Sequence, residues 1–394
     1  MRQPWWQRAV LYQLYPRSFA DSNGDGIGDL RGIIERLDYL EWLGVGGVWL
    51  NPIFPSPNAD WGYDVADYCD VHPELGTLDD VDRLIEQANA RGIEIVLDLV
   101  PGHSSDEHPW FSDPAKRDWY IWSEKPGEGT SVFGGPAWTE RDGGWYFHAF
   151  HIKQPNLNWF NDGVRDAFDD ILRFWFDRSV AGFRIDVAHD FVRDERGGVR
   201  RDVTHEILRR WRRIADAYDP PRVLIGETWV HELNELMTFY GKGDELHMAF
   251  NFPFLFSELD AMPDVIAQTE ALLPEGAWPV WALSNHDVVR FPTRMCEGDE
   301  RKIRQALETL LTLRGTPVLY QGDELGMEQA EVPEDRIRDV AERDGCRTPL
   351  PWTREGGWRD PWLPLGDTRR NVEDERGDPG STLNFVREMI GRRT

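Results

Sequence analysis

The chain has 394 residues, enough to bury a large core and, by length alone, to form two or three domains unless it closes into a barrel. Lys plus Arg number 44 against 70 Asp plus Glu, a net charge of −26, which excludes nucleic acid and anionic membrane as partners and points to a neutral or cationic ligand. Nineteen tryptophans set flat rings beside many carboxylates, a pairing that suits sugars, with their apolar C–H faces and hydroxyl rims.

The N-terminal stretch MRQPWWQRAV has no apolar core followed by a small-residue cleavage site, and no segment reaches about 18 consecutive apolar residues, so a soluble cytoplasmic protein is expected. Cys69, Cys296 and Cys346 are odd in number and scattered; they fit reduced thiols better than a disulfide framework or a zinc site. The first strand is expected in VLYQLYP, where Pro16 favours a strand running into a loop over a helix. The loop that follows reads DSNGDGIGD. Counted from Asp21 as a calcium loop, Asn23, Asp25, the Ile27 carbonyl and Asp29 fall at ligand positions and Gly26 supplies the turn, but Gly32 stands where a bidentate glutamate closes a sensor site. The loop therefore reads either as a structural cation site or as an acidic Asn/Gly turn, and not as a paired calcium sensor.

Further short apolar runs end in polar residues: GGVWLNP (46–52), IEIVLDLV (93–100), AGFRIDVA (181–188), RVLIGET (222–228), HMAFNFP (247–253), VWALSNHD (280–287) and TPVLYQGDE (316–324). Helical patterns intervene in LRGIIERLDYLEWLG, LDDVDRLIEQANARG and VRDAFDDILRFWFD. Eight strands alternating with helices predict an α/β (β/α)8 TIM barrel, whose active site lies at the strand C-terminal ends. The rhythm breaks once, over a Trp/Gly/Pro-rich stretch too long for a bare βα loop, so a subdomain is expected at 103–160, between barrel segments 1–102 and 161–394. A second irregular, charged and Pro-rich insertion covers 325–375.

In GFRID, Arg184 and Asp186 alternate with strand period and face the same way; a guanidinium there favours the ionised carboxylate that a nucleophile needs. Glu227 ends the next strand, and Asn285, His286 and Asp287 end the seventh. Three carboxylates and a histidine on one partly desolvated rim are costly as mere structure and mark a functional site.

These motifs, DLVPGH (98–103), QPNLNW (154–159), GFRIDVAHD (182–190), GETW (226–229) and SNHD (284–287), resemble the α-amylase family of glycoside hydrolases along nearly the whole chain. The resemblance implies Asp186 as nucleophile, Glu227 as general acid/base and Asp287 as the carboxylate that orients substrate hydroxyls. It implies His103, Arg184 and His286 as companions around the reactive sugar, with Asp98 behind them. Such a retaining pair stands about 5–5.5 Å apart, and the charges of Asp186 and Asp287 are expected to raise the pKa of Glu227.

The opening loop, WGYDVADY (61–68), QPNLN and RTPLPW (347–352) resemble the oligo-1,6-glucosidase and α-glucosidase branch. By that likeness the loop holds one structural calcium or magnesium ion through Asp21, Asn23, Asp25, Ile27 and Asp29, and no organic cofactor is implied. Asp64 and Arg347 match a pair closing the pocket around the nonreducing-end glucose, with Tyr63 as the aromatic platform. The expected activity is a retaining, exo-acting α-glucosidase on short oligosaccharides; a transglucosylase, a sucrose- or trehalose-type isomerase and a noncatalytic relative are the alternatives. Val187, directly after the nucleophile, matches a valine that accompanies α-1,6 activity. Two departures stand out. Gly102 occupies the usual asparagine position before His103, which leaves no cation site in the subdomain. The β-sandwich that usually follows the barrel is absent before Thr394, so exposed apolar surface is expected where it packs.

Overall fold

The computed structural model describes residues 3–393. Eight parallel strands form the barrel wall: β1 (Leu11–Leu14), β2 (Gly47–Leu50), β3 (Glu94–Leu99), β7 (Gly182–Ile185), β8 (Val223–Gly226), β9 (Met248–Ala249), β10 (Val280–Ala282) and β11 (Thr316–Tyr320). They hydrogen-bond in the order β10-β11-β1-β2-β3-β7-β8-β9, and an isolated parallel bridge between Phe250 and Val280 joins the two ends. Each run expected from the sequence supplies one strand. β1, β2, β7, β8 and β11 are buried at every position, as parallel strands must be when helices cover the outer face and side chains fill the barrel's interior.

The helices end where local chemistry stops them. Thr77 and Asp80 form a reciprocal capping box at the start of Leu78–Asn89. The first helical run is two helices, Leu30–Glu35 and Leu37–Leu43, because Arg36 leaves helical geometry; Gly44, at φ 92°, ends the second. Asn161 caps Asp162–Asp177 through the Gly163 N–H.

The long β3–β7 connection holds a three-stranded antiparallel sheet of β4 (Trp122–Ser123), β6 (Gly144–Phe147) and β5 (Trp138–Arg141), in that order. Bridges from His103 to Asn156 and from Tyr120 to Leu157 tie its two limbs together where they leave the barrel. The chain's last described helix, Thr382–Arg393, buries Leu383, Val386, Met389 and Ile390. Among the described residues, the exposed large apolar side chains include Val132, Phe160, Leu272, Val289, Ile337 and Val340. No described helix is long and apolar enough to cross a membrane.

Candidate active site

Ile185 lies in register with Gly226, so the next residues, Asp186 and Glu227, leave adjacent strand ends side by side. Asp287 follows β10, and all three carboxylates line one cavity of about 470 Å³ together with Asp60, Tyr63, His103, Val187 and Arg343. Arg184 lies beneath them, 1% exposed, and does not reach the cavity wall. Its Nη1 donates to Asp98 Oδ1 at 2.9 Å and to Asp186 Oδ1 at 2.7 Å, and its Nη2 is 2.9 Å from Glu227 Oε2. Arg184, expected as a companion around the reactive sugar, braces three carboxylates from below. One guanidinium does not neutralise three carboxylates. Burial pushes the Asp186 carboxyl well above the usual carboxylate range, with Glu227 and Asp98 adding to the rise and Arg184 opposing it. Burial likewise pushes Asp98 up to about 7 against the pull of Arg184. Asp98 and Asp186, both raised, share the Arg184 guanidinium and so hold protons to higher pH than isolated carboxyls do.

Glu227 Oε2 also accepts the Val187 N–H at 2.7 Å. Val187 adopts φ 45°, an uncommon conformation for a β-branched residue, and its side chain lines the cavity instead of packing against the barrel exterior.

On the opposite wall, Asp287 Oδ1 accepts from Arg343 Nη1 at 2.9 Å and Arg347 Nη2 at 3.0 Å. Burial opposes ionisation of Asp287, but His286 and the two guanidiniums outweigh it and hold the carboxyl well below its ordinary value. His286 is fully buried behind this wall, stacked on Tyr63 with ring centroids 5.3 Å apart, and its Nε2 is 2.6 Å from the Tyr63 hydroxyl. His286, expected as a companion around the reactive sugar, stands behind Tyr63, which does line the cavity. His103 lines it too. Its Nε2 is 3.0 Å from the Tyr63 carbonyl, its buried Nδ1 has no protein partner, and burial pushes its pKa down to about 4, so it stands neutral.

The expected Asp64–Arg347 closure is also corrected. Asp64 accepts from Ser56 Oγ at 2.7 Å, Ala59 N at 2.8 Å and Asp60 N at 2.9 Å, which fixes the turn before Trp61. Arg347 is fully buried and donates through Nε to the His286 carbonyl at 2.8 Å. The pair that meets at the cavity wall is Asp60 and Arg343, 2.6 Å apart, each four residues upstream of the expected partner. Sequence reasoning also missed His189, Asp190, Arg193 and Trp229, which line the side of the cavity next to Glu227. His189 and Asp190 belong to the same GFRIDVAHD motif as the nucleophile, and that adjacency was the available signal.

In the DSNGDGIGD loop, Asp21 accepts from the N–H groups of Asn23, Gly24 and Gly26, and Asn23 Oδ1 from Asp25 N. Asp25 accepts from Ile27 N, while Asp29 caps Leu30–Glu35 through Gly32 N and accepts from Ser22. The donors are all oxygen, the chemistry a hard cation takes, and each carboxylate keeps free lone pairs beside these bonds. Among the described residues no group of three or more His, Cys, Asp or Glu side chains is placed to hold a metal ion; that count does not include Asn23 or the Ile27 carbonyl, which are two of the five expected ligands.

An eight-stranded parallel barrel with three carboxylates and an Asp–Arg clamp in one sugar-sized pocket defines a glycoside hydrolase. Residues 13–394 match the family described as alpha amylase, catalytic domain, and the chain belongs to the α-amylase family, in its oligo-1,6-glucosidase branch. It is similar to the probable alpha-glucosidase of Rhizobium meliloti (strain 1021), 36% identical over 457 residues that cover 99% of this chain and 82% of that protein. It is similar to the oligo-1,6-glucosidase of Parageobacillus thermoglucosidasius, 34% identical over 475 residues, covering 99% and 84%. Among solved structures, the alpha-glucosyl transfer enzyme XgtA superposes with a TM-score of 0.93 at 36% identity, covering 100% of this chain and 84% of that one.

Proposed function

We propose that this glycoside hydrolase is a retaining, exo-acting α-glucosidase that removes terminal α-linked glucose from short oligosaccharides. The observation that carries the reading is the Asp60–Arg343 clamp, 2.6 Å apart, in the wall of the same cavity that Asp186, Glu227 and Asp287 line. A wall closed in this way suits a chain end and not a through-running polymer. The Asp186 carboxylate attacks the anomeric carbon while Glu227 gives a proton to the departing glycosidic oxygen, leaving a glycosyl ester on Asp186. Glu227 then takes a proton from water, which attacks the same carbon and frees glucose and the carboxylate. The shared Arg184 guanidinium holds the two carboxyls close, which favours the short separation of the retaining class, roughly 5–5.5 Å, over the roughly 6.5–9.5 Å of inverting enzymes. Asp287 and the neutral His103 offer an acceptor each to the glucose hydroxyls.

Transfer of glucose to another sugar by the same intermediate is the second reading, favoured by the likeness to an alpha-glucosyl transfer enzyme. A noncatalytic relative is disfavoured by the presence of all three carboxylates in one pocket. Products from maltose, isomaltose, sucrose, trehalose and a longer maltooligosaccharide test the proposal. Single glucose units released from chain ends, with retained anomeric configuration, are expected, and Asp186→Asn should abolish release. Internal fragments, or an active Asp186→Asn, overturn it. We also propose that the 21–29 loop takes up one calcium or magnesium ion that braces the first βα connection without entering the chemistry.

A further inference from the structure

Arg343 and Arg347 stand one helical turn apart, Arg343 just before the short helix Asp344–Arg347 and Arg347 at its end, and both guanidiniums reach Asp287 Oδ1. Two adjacent buried cations repel unless carboxylates lie between them. Asp287 does this from the cavity side. From the other side Asp339 Oδ1 accepts from Arg343 Nη2 at 2.7 Å and Arg347 Nη1 at 3.4 Å, and Oδ2 accepts from Arg343 Nε at 2.8 Å and Arg343 N at 2.9 Å. The Asp339 side chain is fully buried and does not line the cavity. Asp344 Oδ2 in turn accepts from Asp339 N at 3.0 Å and Arg338 N at 2.7 Å, which fixes the backbone that carries Asp339. Arginines and aspartates therefore alternate around a closed ring, Asp287, Arg343, Asp339, Arg347, and Arg343 extends it to Asp60.

We propose that Asp339 is the positioning residue that holds Arg343 and Arg347 in register, so that Asp287 and Asp60 meet the terminal sugar in a pre-formed wall; this rests on the reading of the pocket as a glucose site. The bonds leave Arg343 little freedom: its Nε and one Nη are held by Asp339, and its other Nη reaches Asp287. With a neutral residue at 339, Asp287 alone is left to balance the two guanidiniums, and Arg343, freed from the bonds to its Nε and Nη2, shifts from its place against Asp60 and Asp287. The effect falls on sugar binding more than on bond cleavage, because Asp186 and Glu227 hang on Arg184, across the cavity. Burial alone would raise the Asp339 carboxyl, but the bonds from Arg343 and the charges of both arginines bring it down to about 2, so the charge that spaces them is present at every working pH.

The test is a cycle of Asp339→Asn, Arg343→Ala and the double variant. It is read as KM and kcat on 4-nitrophenyl α-glucoside, as the calorimetric Kd for glucose, and as Tm. Asp339→Asn is expected to raise KM and the glucose Kd about 10- to 100-fold, with kcat within about threefold of the parent. The double variant should lose less than the sum of the two single losses, since Asp339 acts mostly through Arg343. An unchanged KM and Kd in Asp339→Asn, or losses that add in the double variant, overturn the proposal. If the Asn variant does not fold, Asp339→Glu, which keeps the charge, carries the same cycle, and additivity there overturns the proposal equally. A parent that binds glucose but releases none from any glucoside overturns the glucosidase reading while the glucose Kd still judges Asp339.

Discussion

Arg184 serves three carboxylates at once, and that sharing sets what single substitutions do. Asp186 must be ionised to attack, so kcat/KM falls as pH drops through its raised pKa. Asp98 adds to that rise and competes for Arg184, so Asp98→Asn removes a like charge and frees the guanidinium for Asp186. Both effects lower the Asp186 pKa. The acidic limb of the kcat/KM profile on 4-nitrophenyl α-glucoside is expected to move to lower pH in Asp98→Asn; an unchanged or upward-shifted limb contradicts the shared-cation account. Val187 was legible as a candidate because it follows the nucleophile, and its place in the cavity wall beside Glu227 gives it a means to act on the second sugar. One methyl-sized change in a pocket changes discrimination by about 1–3 kcal/mol. Val187→Thr should therefore shift the isomaltose-to-maltose ratio of kcat/KM towards maltose as a bias of about 10-fold. An unchanged ratio removes Val187 from linkage choice. The missed pair, Asp60 and Arg343, shows where residue-level reading stops. RDGCRTP carries both arginines and the segment around WGYD both aspartates, but which member faces the sugar depends on a turn held by Asp64 and a ring held by Asp339, and neither has a local sequence signature.

At the scale of elements, the eight strands were readable because each is a short apolar run ending in a polar residue, a pattern set by burial on both faces. The division of Leu30–Leu43 at Arg36 was not readable, since no Pro or Gly marks it and the apolar spacing runs on. The 103–160 insertion was visible by length and composition, whereas its small sheet, with strands of two and four residues, is too short to leave a period-2 signal. The 21–29 loop is the element whose chemistry the sequence specifies and the fold leaves open. If it takes up a divalent cation as proposed, binding to the folded state alone raises stability by RT ln(1 + [L]/Kd), about 2.7 kcal/mol at a hundredfold excess over Kd. Chelation should lower Tm by several degrees, calcium or magnesium should restore it, and Asp21→Ala should lose the sensitivity. A Tm indifferent to chelator in the parent shows that the loop is held by its own N–H bonds, as Asp21, Asn23 and Asp25 already hold it here.

At the scale of the whole molecule, the question is whether water or a second sugar takes the glucose from Asp186. Residue identities do not decide it, because both outcomes pass through the same ester; what decides is how well the acceptor side excludes water and holds a sugar. Here the two matched relatives align over 457 and 475 residues, longer than the 394 of this chain, so they carry segments within the matched span that this chain lacks. The cavity wall mixes the polar His189, Asp190 and Arg193 with the apolar Val132, Phe133, Phe150 and Trp229, a lining that suits water as well as the C–H face of a second sugar. Water, in large excess over any sugar, takes the ester at low substrate concentration, while an abundant sugar competes for the same ester by mass action. The expectation is that 4-nitrophenyl α-glucoside at low concentration releases glucose and nitrophenol in equal amounts, and that glucose falls behind nitrophenol only as maltose is added in large excess. Glucose lagging nitrophenol from the lowest concentrations, with disaccharide products appearing in its place, means that the pocket holds an acceptor sugar in preference to water and that the enzyme is a transferase.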